Sequence, residues 1–154
     1  MIRKIIGEDI IEKRSRVGEE IIILKDIRKI REVMVILRDH ISLQYKGIID
    51  IVGLDIESKL ELRYILRSYR YNKRIVVSCR LDEREEIESI MNEYKGAEIL
   101  EREVYDMIGV EFRNHRDLRR ILTDYGFKKH PLRKDFNEVE EVRYDEEIKA
   151  VRKI

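Results

Sequence analysis

Regular patterning begins with "EIIILK", Glu20 to Lys25, a compact apolar run of strand length. Asp26 follows it and suits the N-cap of a helix over "DIRKIREVMVILRDH", in which Ile27, Ile30, Met34 and Leu37 recur at helical spacing. Residues 48–56, "IIDIVGLDI", are apolar on both faces, which predicts a central strand. In "KLELRYILR", Leu60, Leu62, Tyr64 and Leu66 alternate with Glu61, Arg63 and Ile65, the period of a half-buried strand. "RIVVSCRL" repeats the alternation with Ile75, Val77, Cys79 and Leu81, and "SYRYN" between the two has the length and polarity of a hairpin loop ending at Asn72.

Beyond Leu81 the pattern turns helical. Asp82 with Glu85 resembles a capping box, and Ile87, Ile90, Met91 and Tyr94 make an apolar stripe that Gly96 would stop. "AEILEREVYDMIGV" predicts a further helix, with Leu100, Val104, Met107 and Ile108 on one face and Glu101, Arg102, Glu103 and Asp106 on a solvated or salt-bridged other. "DLRRILTDYG" predicts a short third one, with Asp117 near its N-terminus, Leu118, Ile121 and Leu122 inward, and Gly126 at its C-terminal cap. The periodicity then fades. The order implies an α+β fold, a two-layer domain with helices packed on a largely antiparallel sheet, over residues 1–125, followed by an extended C-terminal tail over 126–154.

A chain of 154 residues suits one ordinary domain, since halves would struggle to bury a core. Charged residues make up 42%, but 33 Lys and Arg face 32 Asp and Glu, a balance unlike that of proteins devoted to the nucleic-acid backbone. The single cysteine, Cys79, excludes an internal disulfide and reads as a buried strand residue in a reducing compartment. No run reaches the roughly 20 apolar residues of a membrane span, and "MIRKIIGEDII" lacks the character of a signal or transit peptide.

Candidate chemistry is sparse. His115 and His130 are too far apart for a short-spaced metal pair, the serines lack a nucleophile motif, and none of the seven glycines forms a phosphate loop. Glu101, Glu103 and Asp106 are the candidates for acid–base work, set against a plainly solvated helix face. From Arg113 to Lys134 basic residues interleave with Phe112, Tyr125 and Phe127, as on a single-strand-binding surface, but Asp117, Asp124 and Asp135 oppose phosphates. An acidic block, Glu138 to Glu147, follows. Adjacent blocks of opposite sign suit a complementary protein surface better than a polyanion.

The one proline, Pro131, biases His130 toward extended backbone, so the chain after Gly126 does not resume a helix at once. Arg133 and Asp135 offer bidentate groups, Tyr125, Phe127 and Phe136 offer anchors, and Lys128 and Lys129 suit an exposed rim. A loop packed on its own domain also satisfies these features, but the expected arrangement of "TDYGFKKHPLRKDF" is an extended clasp that leaves its own domain and lies along a partner.

The motifs "EREVYDMIGVEF", His115, "DLRRILTDYGFKKHPLRKDF" and "EVRYDEE" closely resemble the thirty-kilodalton subunit family of respiratory complex I, the NADH:quinone oxidoreductase. "LRDHISLQYKGIIDIVGLD" and "YNKRIVV" are similar to its mitochondrial and α-proteobacterial branch, so the resemblance spans roughly residues 33–148. The chain departs from the family in having no Trp before the Glu-Arg-Glu helix and a shorter "NEVE" where a Pro- and Gly-containing loop is usual. The resemblance implies a non-catalytic subunit of the hydrophilic arm that packs against the forty-nine-kilodalton quinone-site subunit and neighbouring iron-sulfur subunits. It also implies no cofactor on this chain, with FMN, iron-sulfur clusters and quinone carried by the assembled complex, no nucleic acid, and membrane association only through the complex. The expected place is the matrix side of the mitochondrial inner membrane, the alternative being the cytoplasmic face of a bacterial one. The motif residues Glu101, Arg102, Glu103, Asp106, His115, Arg119, Arg120, Asp124, Tyr125, His130, Arg133, Asp135 and Phe136 are the implied partner interface. An equivalent subunit of a membrane-bound hydrogenase and a single-strand nucleic-acid-binding domain are the competing readings.

Overall fold

A computed structural model describes residues 2–14, 19–56, 59–136, 142–145 and 150–153. Its centre is a five-stranded sheet of β1 (Ile10–Arg14), β2 (Glu20–Leu24), β3 (Gly47–Ile56), β4 (Lys59–Ser68) and β5 (Lys73–Asp82), in the order β1-β2-β5-β4-β3. All neighbours are antiparallel except β2 and β5, which run parallel. The largely antiparallel α+β architecture is therefore present. β1 and the short α1 (Ile2–Ile6) before it carry no clear pattern in the sequence, yet Ile2 and Ile10 reach the core.

The alternating strands β4 and β5 face each other in register, Leu62 opposite Cys79, Tyr64 opposite Val77 and Leu66 opposite Ile75, and all six are buried. Cross-strand apolar pairs of this kind stabilise a sheet and present one dry face. Helix α2 (Ile30–Asp39) and helix α3 (Ala97–Ile108) contribute to the same core through Met34, Leu37, Val104 and Ile108. Gly53 of β3 lets α3 approach, since a Cβ there would meet Val104 and Ile108 side chains at 3.1 and 3.0 Å. On the opposite face Glu61 lies buried beneath Arg63 (2.7 Å) and Arg80 (3.2 Å) and accepts from Ser78 (3.0 Å).

Four expectations are corrected. β3 is an edge strand, not a central one; it reads as apolar on both faces because α3 lies on one of them while Ile49 stays exposed. Asp26 does accept the Arg28 amide at 3.0 Å, but it caps a 3-10 turn, Ile27–Lys29, that leads into α2. No helix forms over 82–96. Glu85 bonds back to the Asp82 amide at 3.1 Å as a capping box does, yet the chain then runs into β6 (Ile87–Glu88), parallel to β7 (Phe112–Arg113). Tertiary acceptors win the amides a helix would need: Ile87 donates to Glu111, Ser89 to Arg113, and Ile90 to the Glu101 side chain. Gly96 consequently caps the start of α3 instead of ending an earlier helix.

The predicted helix at "DLRRILTDYG" is also absent, for a reason taken up below. Further on, β8 (Val142–Asp145) and β9 (Ala150–Lys153) form an antiparallel pair inside what reads from sequence as irregular tail.

Candidate functional site

Two carboxylates of α3 that the helical pattern assigns to a solvated face are both fully buried. Asp106 sits at the centre of a knot. Its Oδ2 accepts three consecutive backbone amides, Ile121 (2.9 Å), Leu122 (2.7 Å) and Thr123 (2.9 Å), while Oδ1 takes Arg120 at 2.7 Å and the Thr123 hydroxyl. Three successive N–H groups aimed at one anion form a nest. This is why 118–126 is not helical: amides that would seek carbonyls one turn back are committed to Asp106. Burial alone would raise the Asp106 pKa, but the Thr123 hydroxyl and the three amides outweigh it and hold the carboxyl well below the usual range.

The knot turns side chains outward. Ile121, Leu122 and Tyr125 are exposed, with Leu122 at 63% and Tyr125 at 79%, contrary to the inward placement predicted for the two aliphatics. Leu118 alone packs against the core. Arg102 closes the loop from beneath, donating to the Arg119 and Arg120 carbonyls at 3.1 and 3.2 Å, and Arg119 pairs with Asp117. The Arg120 guanidinium lies 5.6 Å from the Phe127 ring centroid, and Phe127 in turn tilts against Phe136 at 6.0 Å.

Glu101, one turn earlier, faces the other way. It accepts from the Ser89 hydroxyl (2.5 Å) and the Ile90 amide (2.8 Å), which ties the 87–91 segment to α3. Burial pushes its pKa up to about 7 against these bonds. His115 Nε2 stands 3.8 Å from it, and both side chains are fully buried. The Asp117 amide donates to His115 Nδ1 at 3.1 Å, which assigns the ring proton to Nε2, donating to the Glu98 carbonyl at 3.0 Å.

The segment 127–136, expected to leave the domain as a clasp, instead lies against it. The Leu132 amide donates to the Met107 carbonyl (2.9 Å), and His130 Nδ1 meets the Asp106 carbonyl (3.0 Å) with its ring edge-on to Tyr105. Gly109 makes room for that ring: it holds φ +84°, and a Cβ there would come within 2.5 Å of the imidazole. Arg133 reaches Glu83 (3.0 Å) and Asp55 (3.6 Å), and the Lys134 amide donates to Asp55 (3.0 Å). A polar cleft of about 430 Å³ is lined by this strap together with Glu83, Ile108 and Gly109. Leu132 on its outer side is 62% exposed, and Asp135 is exposed too.

Sequence reasoning thus names the two ends of the site, α3 and the strap, but not Ser89, Thr123, Asp55, Glu83 or Gly109, which hold them. Of the named residues, Glu103, Asp124 and Tyr125 stay exposed, while Arg102, Asp106, Arg120 and His130 converge on the knot. The basic run from Arg113 is mostly neutralised: Arg113 faces Glu86 and Glu88, and Arg116 pairs with Glu98. Among the described residues no cluster of three His, Cys, Asp or Glu side chains could hold a metal ion, and no helix is long and apolar enough to cross a membrane.

Residues 24–142, which carry the sheet, α2, α3, the knot and the strap, match the family described as respiratory-chain NADH dehydrogenase, 30 Kd subunit. The chain belongs to this family. It is 52% identical over 120 residues to NADH-ubiquinone oxidoreductase subunit 9 of Prototheca wickerhamii, covering 75% of this chain and 62% of that protein. With the C subunit of NADH-quinone oxidoreductase from Brucella abortus (strain 2308) the identity is 42% over 155 residues, 97% of this chain and 76% of the relative. In fold it is similar to a chain of the membrane-bound sulfane sulfur reductase, an archaeal respiratory membrane complex, with a TM-score of 0.74 over 90% of this chain and 82% of that one at 23% identity. The chain spans under two thirds of the length of the first of these 30 Kd subunit relatives and about three quarters of the second.

Proposed function

We propose that this chain is a non-catalytic structural subunit of the hydrophilic arm of NADH:quinone oxidoreductase, and that it docks on its neighbours through the surface raised on Asp106. Family membership supports the complex, and one observation supports the surface: a fully buried carboxylate accepts the amides of Ile121, Leu122 and Thr123 and so fixes a loop on which Ile121, Leu122 and Tyr125 are exposed. Exposed aromatic and aliphatic side chains on a rigid loop, rimmed by charge, have the make-up of a protein interface anchor. In this reading Leu122, Tyr125, Leu132 and Asp135 touch the neighbour, with Glu103 and Asp124 at the rim. Glu101, Arg102, Asp106, His115, Arg119, Arg120, His130, Arg133 and Phe136 set their geometry. Residues 1–125 are the body and 126–154 the docking segment.

The neighbour is the forty-nine-kilodalton quinone-site subunit, with iron-sulfur subunits beyond it. FMN, iron-sulfur clusters and quinone belong to the assembled, proton-translocating complex and not to this chain, whose contribution to NADH-to-quinone electron transfer is architectural. It acts on the matrix side of the mitochondrial inner membrane or on the cytoplasmic face of a bacterial one. Recovery of the tagged chain under mild detergent tests the reading: iron-sulfur and quinone-site subunits are expected with wild type and lost with Leu122→Asp/Tyr125→Asp, although the variant keeps its melting temperature. Nickel hydrogenase partners would move the chain to the sister class, and normal assembly of the variant would move the interface elsewhere.

A further inference from the structure

The β4–β5 ladder changes character along its length. At one end its cross-strand pairs are complementary: Lys59 lies opposite Asp82 with an ion pair of 3.0 Å, and Glu61 lies opposite Arg80 at 3.2 Å. At the other end Arg67 lies opposite Arg74, and Lys73 follows at the turn. Like charges directly opposite destabilise a strand pair. From Arg67 to Arg74 the sequence holds Arg67, Arg70, Lys73 and Arg74 with no carboxylate, in a chain whose two signs otherwise balance. None of the four is in an ion pair among the described residues.

This tip is held rigid. Asn72 takes the left-handed conformation that closes the hairpin at φ +49°, and accepts from Arg67 at 3.0 Å. The Tyr71 hydroxyl donates to the Ile41 carbonyl at 2.7 Å, which fastens the tip to the loop after α2. The Tyr69 ring rests on Gly47, where a Cβ would come within 2.7 Å of it. Arg67 and Arg70 lie 5.8 and 5.9 Å from the Tyr69 and Tyr71 ring centroids, so each ring carries a guanidinium. Lys46 immediately precedes Gly47, which faces Arg67 across β3 and β4.

We propose that the β4–β5 hairpin tip is a second docking site, which binds a carboxylate-rich segment of a neighbouring subunit. The inference rests on the reading of this chain as a subunit of a larger complex. Fixed guanidinium forks are matched to bidentate carboxylates, and Tyr with Arg is the composition of interface anchors. An unrelieved Arg67–Arg74 opposition loses stability in the free chain and regains it when an anion is supplied from outside. A compact tip suits a few carboxylates, whereas nucleic acid calls for an extended basic track, and in the other basic stretch Arg113, Arg116 and Arg120 are paired with Glu88, Glu98 and Asp106.

The experiment is zero-length carbodiimide cross-linking of the complex recovered in mild detergent, read by peptide mass spectrometry. Lys73 and Lys46 are expected to couple to Asp or Glu of one neighbouring subunit, and Arg70→Glu/Arg74→Glu is expected to lower that yield about tenfold, as charge reversal at a complementary contact should. Its other cross-links and its melting temperature should persist; if the reversal unfolds the chain, Arg70→Gln/Arg74→Gln replaces it. Cross-links from the rest of the chain with none from Lys73 or Lys46 would overturn the proposal and leave the subunit reading intact. Failure to recover any neighbour would overturn both. Flotation of the full chain with phosphatidylserine vesicles, or salt-dependent capture of oligothymidine, abolished by the same substitutions, would replace the acidic segment with lipid or nucleic acid.

Discussion

Asp106 and Arg120 stand fourteen residues apart and meet at 2.7 Å, with the carboxylate fully buried and the guanidinium nearly so. Removing one member of a buried pair costs about 3–5 kcal/mol, so Asp106→Ala is expected to remove a large part of the stability of the full chain, read as a lower urea midpoint. Asp106→Asn should recover only part, because an amide presents one oxygen to three amides and an arginine. The pH dependence follows from a depressed carboxyl. Its contribution is fully present above the ordinary value of 3.8 and is lost as pH falls below it. Equal acid sensitivity of wild type and Asp106→Asn below pH 3.8 would contradict the nest.

Glu101 titrates in the opposite sense. Its folded pKa of about 7 exceeds the ordinary 4.5, so the native state holds the proton more tightly than the unfolded chain does. Stability is fully present below 4.5, declines as pH rises through this window, and levels above about 7. The whole fall is on the order of 3 kcal/mol. Glu101→Gln keeps the shape without the charge, and its unfolding free energy is expected to stay flat from pH 5 to 8 where that of wild type declines. Parallel curves for the two proteins would place the slope on another group.

How far the fold could be read from the sequence depended on where the competing hydrogen-bond partner lay. Leu60 to Leu66 and Ile75 to Leu81 advertise themselves because alternation is a local consequence of a sheet with one dry face. The 87–94 and 118–126 segments carry real helical periodicity, yet Glu101 and Asp106 claim their amides from a distance of eleven to seventeen residues. No local pattern records that. The same cause hid half of the site. Glu101 and Asp106 look like a charged helix face, and only the tertiary placement of Ser89, Ile90 and Ile121 to Thr123 makes them interior anions. Family resemblance located the motif residues without saying which of them hold and which present.

Gly109 and Gly126 separate those two kinds of evidence. Gly109 holds a left-handed backbone at +84° and has His130 against its Cα, so Gly109→Ala combines a backbone cost of about 1–2 kcal/mol with displacement of the imidazole. A drop in thermal midpoint of several degrees is expected. Gly126, the predicted helix cap, has open space at its Cβ position and no left-handed φ, so Gly126→Ala should be neutral or stabilise by about 0.4–1 kcal/mol. A large loss at Gly126 would restore the capping role.

Asp55 decides whether the strap belongs to the domain in the free chain. Its carboxylate takes the Lys134 amide at 3.0 Å and lies 3.6 Å from Arg133, itself also bound to Glu83. Asp55→Ala orphans a backbone donor and loosens an arginine, a cost of about 1–3 kcal/mol. Arg133→Ala removes the ion pairs but leaves the amide bond, so it should cost less, and the double variant should fall short of the sum because Asp55 serves both. Hydrogen exchange on the full chain supplies the local readout: the Leu132 and Lys134 amides should lose protection in Asp55→Ala while β4 and β5 keep theirs. If Asp55→Ala leaves those amides as protected as in wild type, the strap is held by Leu132 on Met107 and His130 on Asp106 alone.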